Sequence, residues 1–349
     1  MVSPQATLVA TALLADWVPV IGLIFGGCCS NVFALESLVR QVPKSGNLIT
    51  FAQFAFISLV GLPSHVQLNG TVPCLKPRKV PLQRWMVMVA LYFGVSLLNN
   101  IALGYKISIP LHIVFRSSGL IANMACGFVI MRKRYPKMQA MAVVMVTVGV
   151  VIATLASVND TRTPEGMASE SLIGIGLLSM GVVLAAMLGL YQEQTYNLYG
   201  KHWQEGLFYN HVLALPMFIF FYRDICKQAQ ALSMSQPILL NDTPIVGALL
   251  GSTRVSIPYL WISLLVNVLS QWACASGVHR MTSISTSLTL NVVLNVRKLV
   301  SLVISVLLFK NPITASMMGG CLLVFAGTFA YSKFRPLPAT SSIEQKKRN

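Results

Sequence analysis

The sequence is short of charge, and shortest of acid: Asp and Glu number 10 in 349 residues, and all charged residues together reach only 10%. A water-soluble domain carries about a quarter, so a soluble protein of this length is excluded. No Walker-type GxxxxGK[ST] is present, so nothing points to ATP as a driving force, and no HExxH is present either. No acidic pair sits in a large extramembrane region, which leaves membrane hydrolases and glycosyltransferases without obvious machinery. The seven cysteines, Cys28, Cys29, Cys74, Cys126, Cys226, Cys274 and Cys321, form no CxxC and have no histidine at metal spacing. Neither a disulfide framework nor a metal site is expected from them, and no cofactor is called for. The apolar stretch from Ala6 to Leu14 lacks a basic flank and is followed by Asp16, so a cleaved signal peptide is not expected.

Apolar sequence is abundant: 55% of residues are hydrophobic and the mean hydropathy is +0.68. Hydrophobic runs fall near 17–39, 47–64, 84–105, 108–131, 138–157, 171–195, 206–223, 257–278, 283–309 and 312–332. Each is long enough to cross, or nearly cross, a hydrocarbon core about 30 Å thick. The fold expected is therefore all-α, a polytopic membrane protein of ten transmembrane helices. The net charge of +16 reads as positive-inside bias of membrane loops rather than as a nucleic-acid surface. With the N-terminus in the cytosol, 15 Lys and Arg fall in cytosolic segments and 8 on the opposite side, and both termini are placed in the cytosol. The sequons at Asn159 and Asn241 then lie in the lumen as glycosylation candidates, while the one at Asn69 lies in the cytosol.

The halves echo one another. Residues 119–157 and 297–333 each read as a small-residue-rich helix, a short basic turn with proline (Arg134 to Pro136; Lys310 to Pro312), and a second apolar helix rich in Gly and Ala. Five spans per half is an odd number, so the repeats are inverted across the membrane, an arrangement that places a transport site near the midplane between them. The organisation expected is a first repeat at 1–157, a lumenal linker at 158–170, a second repeat at 171–332 and a cytosolic tail at 333–349.

Three cations remain inside the runs: Arg116, Arg297 and Lys298. A charge at the centre of a span costs roughly 2.5–3.5 kcal/mol, and no Asp or Glu shares the ninth run with Arg297 and Lys298. An anionic ligand in a water-filled cavity supplies the missing counter-charge. Ser287, Asn291, Asn295, Lys298, Ser301 and Ser305 step by 4, 4, 3, 3 and 4, and His112, Arg116, Gly119 and Asn123 by 4, 3 and 4, so each set makes one polar helix face. Ser263, Asn267, Ser270, Gln271 and Cys274 offer a third stripe. Arginine suits phosphate through its planar fork and lysine acts as a mobile point charge. The plainer alternative is that such stripes only glue helices together, and that Arg116 sits near a helix end and snorkels to the surface. His211 reads equally as a hydrogen-bonded packing residue. The Gly22-x-x-x-Gly26 spacing needs no explanation beyond close helix packing.

Several segments carry a resemblance: Gly26–Asn31 (GGCCSN), Asn47–Phe54 (NLITFAQF), Pro110–Ser117 (PLHIVFRS), Leu120–Met124 (LIANM), Lys201-His202 with Leu207–His211 (LFYNH), and Arg297–Leu302 (RKLVSL). At these the chain resembles the nucleotide-sugar transporters of the drug/metabolite-transporter superfamily, most strongly the clade carrying UDP-N-acetylglucosamine and UDP-xylose. The resemblance implies ten helices in an inverted five-plus-five repeat, no ATP, and exchange of a cytosolic nucleotide sugar for lumenal UMP. The family's FYNN motif maps onto Phe208, Tyr209 and Asn210, with His211 in the fourth place. The GALNK motif of GDP-mannose carriers is absent, and Arg297 and Lys298 occupy the comparable region. The expected substrate-binding set is Arg297, Lys298, Arg116, Tyr209, Asn210, His211, Asn291, Asn295 and Asn123, with Asn291 and Asn295 on ribose or sugar.

The final four residues include Lys346 and Lys347 in a KKxx arrangement, which fits a di-lysine signal read by a retrieval coat on the cytosolic face. The expected location is the endoplasmic reticulum membrane, with cycling through the Golgi. The expected partners are a UDP-sugar, UMP, the bilayer and that coat; a homodimer is compatible with this reading. Two rival readings stand beside the antiporter. A membrane-embedded glycosyltransferase on a lipid-linked sugar would need a catalytic carboxylate, for which only Glu36 and Glu193 lie near spans. A purely structural assembly protein would tolerate loss of Arg297 and Lys298.

Overall fold

The computed structural model describes residues 17–69, 72–105, 112, 115–116, 118–131, 136–160, 165–239, 256–285, 287–309 and 314–333. They form α1 (Trp17–Gln41), α2 (Gly46–His65), α3 (Leu82–Leu103), α4 (Gly119–Met131), α5 (Lys137–Asp160), α6 (Glu165–Tyr199), α7 (Trp203–Val212), α8 (Tyr222–Ser233), α9 (Tyr259–Ile284), α10 (Ser287–Phe309) and α11 (Ala315–Lys333). Every hydrophobic run of the sequence thus carries helix. Five helices among the described residues are long and apolar enough to cross a membrane, within α1, α2, α3, α6 and α9, and shorter apolar helices fall in α4, α5 and α11. Outward faces are oily: on α5, Met141, Val144, Val148, Val151 and Leu155 are all exposed, as a surface facing acyl chains requires.

The chain is not wholly α-helical. Two antiparallel two-stranded ribbons cap its loops, β1 (Val66–Asn69) with β2 (Val72–Leu75) and β3 (Pro237–Leu239) with β4 (Ser256–Pro258). The seventh run is also broken: α7 gives way to a 3-10 turn at Leu215–Phe221 before α8 begins. Pro216 sits at its start and lacks the N–H that would continue an α-helix.

Helix pairing follows the small residues. A Cβ on Gly320 would stand 2.6 Å from the Gly149 carbonyl oxygen, and one on Gly327 would stand 2.9 Å from the Ala142 carbonyl oxygen. These glycines let α5 and α11 touch backbone to backbone around Ala142, Val146, Ala153 and Val324. A Cβ on Gly27 would lie 2.6 Å from the Cys274 amide nitrogen, and Gly277 faces Leu23 in return, so α1 and α9 cross equally closely. There Cys28 and Cys274 form a disulfide. This corrects the expectation of no disulfide: the partners are 246 residues apart, a pairing that only the helix crossing creates. Other close pairs are α3 with α6, α2 with α7, α4 with α6, α9 with α2 and α7, α3 with α7, and α10 with α1 and α11.

Candidate functional site

Lys298 has eleven helix residues on either side in α10, so it stands at mid-length of a helix about 34 Å long. Its ammonium donates to the Arg116 carbonyl oxygen at 2.7 Å and to Asn295 Oδ1 at 3.1 Å. Asn295 is buried, and its amide in turn donates to Thr328 Oγ1 on α11 at 3.2 Å. The ammonium's charge is therefore oriented but not neutralised. Arg297 and Arg116 both lie within Coulombic reach of Lys298 and of each other. Among the described residues none of these three cations forms an ion pair with a carboxylate; the pair that exists, Glu36 with Arg40 at 3.3 Å, is elsewhere. Arg116 is exposed and Arg297 and Lys298 half-buried, yet their surroundings are protein: Tyr92 and His112 flank Arg116, and Cys29 flanks Arg297. The three cations thus stand close to one another, with protein groups on their flanks.

Unpaired polar atoms fall on some of the residues that the sequence singles out. Among the described residues six buried side-chain atoms have no hydrogen-bond partner, and four belong to His112, Asn123, Asn210 and Arg297. Buried polar groups are nearly always satisfied, and leaving one bare costs about 1–3 kcal/mol. His112, beside Arg116, and Arg297 thus put unpaired polar atoms within the cation cluster itself.

His211 joins this region through Tyr92. It is fully buried, its Nδ1 bonded to the Leu207 carbonyl at 2.6 Å, and its Nε2 lies 3.5 Å from the Tyr92 hydroxyl. Asn210 is buried on the same helix. Tyr209 goes elsewhere: it packs beside Trp85, Tyr196, Phe208 and Val80, with Arg78 beside its hydroxyl. Asn291 is half-buried one turn before Asn295. In the third stripe Asn267 is committed elsewhere. Asn267 is completely buried, exchanges bonds with Asn31 in both directions at 2.9 and 3.2 Å, and accepts from Gln53 at 2.6 Å; it is interhelical glue. Asn159 lies near the end of α5, whereas Asn241, Lys346 and Lys347 fall outside the described residues.

A cluster of cations midway along a helix of an apolar bundle is what a carrier of anions needs, and the similarities of the chain agree. Residues 17–335 match the UAA transporter family. The chain belongs to that family. Membership bears out the motif-based resemblance to nucleotide-sugar transporters. Among its relatives, the UDP-xylose and UDP-N-acetylglucosamine transporter of Danio rerio is 40% identical over 319 residues, 89% of this chain and 92% of that protein. The UDP-N-acetylglucosamine transporter yea4 of Schizosaccharomyces pombe is 41% identical, covering 93% and 98%. An endoplasmic reticulum GDP-fucose transporter of Drosophila melanogaster is 38% identical, covering 88% of each chain. A solved crystal structure shares the fold at a TM-score of 0.54 and 13% identity, over 93% of this chain and 97% of that one. The UAA transporter described here is thus a polytopic helical membrane protein that carries nucleotide sugars.

Sequence reasoning missed several polar side chains that the fold brings together: Tyr92 beside Arg116, Gln192 and Tyr196 against His279 at 3.3 and 3.5 Å, and Glu205 beneath the α2–α3 connection. Single polar residues on otherwise apolar helices carry no periodic signal, and only the packing reveals them.

Proposed function

We propose that this transporter is an antiporter that moves UDP-N-acetylglucosamine, UDP-xylose or both from the cytosol into the lumen of the endoplasmic reticulum or Golgi in exchange for UMP. The observation that carries the reading is the cluster of Arg116, Arg297 and Lys298, mutually close and without a carboxylate partner among the described residues. Arg297 and Lys298 hold the diphosphate, Arg116 adds a further positive contact or a gate, and Asn291 and Asn295 meet the ribose or the sugar. Asn210, His211 and Asn123 complete the lining, while Tyr209, packed by Trp85 with Arg78 at its hydroxyl, stands apart from it. A UDP-sugar brings about two negative charges and UMP a similar number, so either cargo balances the site, whereas the empty carrier retains like charges that disfavour the switch. Exchange follows.

Ten spans in an inverted five-plus-five repeat accommodate this. Helix pairing supports the symmetry. The halves meet between α5, ending at Asp160, and α6, beginning at Glu165. Exchanging each span for the one five later turns the α3–α6 pair into α9–α1, turns α4–α6 into α10–α1, and returns α2–α7 and α5–α11 to themselves; all of these pairs are close. Both termini then lie in the cytosol, with Asn159 and Asn241 lumenal and Lys346 and Lys347 available to a retrieval coat. The cargo names of the Danio and Schizosaccharomyces relatives favour UDP-sugars, and the Drosophila GDP-fucose relative makes GDP-sugars the necessary control. Counterflow in proteoliposomes tests the reading. Preloaded UMP should accelerate uptake of UDP-N-acetylglucosamine or UDP-xylose over empty vesicles, and GDP-mannose should not compete. Uptake independent of internal UMP would contradict antiport.

A further inference from the structure

Two polar junctions outside the cation site tie the halves together, one at each face. Glu205, in the first turn of α7, is 8% exposed. Its carboxylate accepts from the Lys79 and Val80 amides at 3.1 and 3.2 Å and from Trp85 Nε1 at 3.1 Å. All three donors come from the first repeat, on the connection after α2 and the start of α3. A buried carboxylate is costly unless charge-assisted bonds satisfy it, so this contact holds only in one relative position of the halves. At the other end of the bundle, the first turn of α2 meets the segment after α7. Asn47 Nδ2 donates to Asp224 Oδ2 at 2.7 Å, the Leu48 amide donates to Gln228 Oε1 at 2.8 Å, and Gln228 Nε2 donates back to Asp224 Oδ2 at 2.5 Å. Beside it opens a cavity of about 380 Å³ lined by Lys44, Asn47, Asn100, Tyr105 and Asp224.

The two junctions match. Each joins the opening turn of one half's second helix to the chain that follows the second helix of the other half, and exchange of the halves converts one into the other. We propose that Glu205 is the cytosolic latch and Asp224, with Asn47, the lumenal latch of alternating access, both engaged in the conformation described here. The inference rests on the antiporter reading for which side is which. Opening toward the cytosol breaks the three bonds to Glu205 and keeps Asp224 engaged; opening toward the lumen does the reverse. These are positioning residues: neither is placed against cargo.

Cys29, which lies beside Arg297 with its sulfur 3.5 Å from Ser301 Oγ, reports which side is open. In the full-length protein, with Cys74, Cys126, Cys226 and Cys321 changed to alanine, an impermeant thiol reagent is applied separately to each face of oriented vesicles. Glu205→Ala should raise labelling of Cys29 from the cytosolic face roughly tenfold, the shift expected when one charge-assisted bond's bias leaves a two-state equilibrium. Asp224→Ala should raise it similarly from the lumenal face, each leaving the opposite face unchanged. Glu205→Gln keeps one acceptor oxygen for Val80 and Trp85 and should fall between parent and alanine variant, which preserves the test if the alanine variant fails to fold. Equal labelling from both faces, or no change, overturns the latches. UMP protection of Cys29 in the parent checks the antiporter reading separately: without protection but with sided labelling, the latches stand and the cargo assignment falls.

Discussion

Replacing Lys298 by alanine removes the one cation whose geometry is fully specified. Its ammonium spends two donors on the Arg116 carbonyl and Asn295 and has a third to offer. A unit charge 4 Å from a phosphate oxygen is worth about 4 kcal/mol at an effective dielectric of 20, and a charge-assisted hydrogen bond keeps about 1.5–3 kcal/mol of that after desolvation. Affinity for UDP-sugar should therefore fall roughly ten- to hundredfold. Exchange should be lost altogether, because an incompletely balanced site does not complete the switch. The fold should survive. Removing one of three crowded like charges offsets the loss of two hydrogen bonds, as replacing buried charge often does, so the thermal midpoint without ligand should stay level or rise. Counterflow against internal UMP and a thermal shift with and without UMP measure both halves of the claim. Uptake at the wild-type rate, with the protein present in the membrane, would refute the role of Lys298.

Other outcomes follow from the same geometry. Gly320→Leu drives a side chain into the Gly149 carbonyl and the Ala153 amide, 2.6 and 2.7 Å from the new Cβ; both are backbone, so the cost should exceed the usual 1–3 kcal/mol of overpacking, and a melting midpoint equal to wild type would remove the α5–α11 contact from the account. Alkylation and peptide mapping without reductant should find Cys28 and Cys274 protected and Cys29 modified, and Cys28→Ser should free Cys274 and lower the midpoint. Asn159→Gln combined with Asn241→Gln should abolish an endoglycosidase-sensitive gel shift while Asn69→Gln changes nothing; a shift that depends on Asn69 would invert the topology.

Hydropathy made the helices legible because in a membrane the backbone must satisfy itself locally, so each long apolar run has little choice but helix. The seventh run was the exception, since its mean apolarity hides Pro216, which cuts it into α7, a 3-10 turn and α8. The cation cluster was also legible: Arg297 and Lys298 are conspicuous against an apolar background, and step-counting placed Asn295 on the face of Lys298, where the structure has the two bonded. Step-counting could not tell a lining face from a gluing face. Asn291 and Asn267 look alike in sequence, yet Asn267 spends its amide on Asn31 and Gln53. Tyr209, adjacent to two buried polar residues, turns to Trp85 and Arg78 because helical neighbours point about 100° apart. Glu205 and Asp224 carry no periodic or motif signal in the sequence, and the disulfide joins Cys28 to a partner no spacing rule could select.

The most direct measurement is a structure of the protein bound to UMP or a UDP-sugar. The account predicts phosphate oxygens within hydrogen-bond distance of Arg297 Nε and Lys298 Nζ, with Arg116 alongside. Phosphate density elsewhere, with those side chains arranged as they are without cargo, would contradict it.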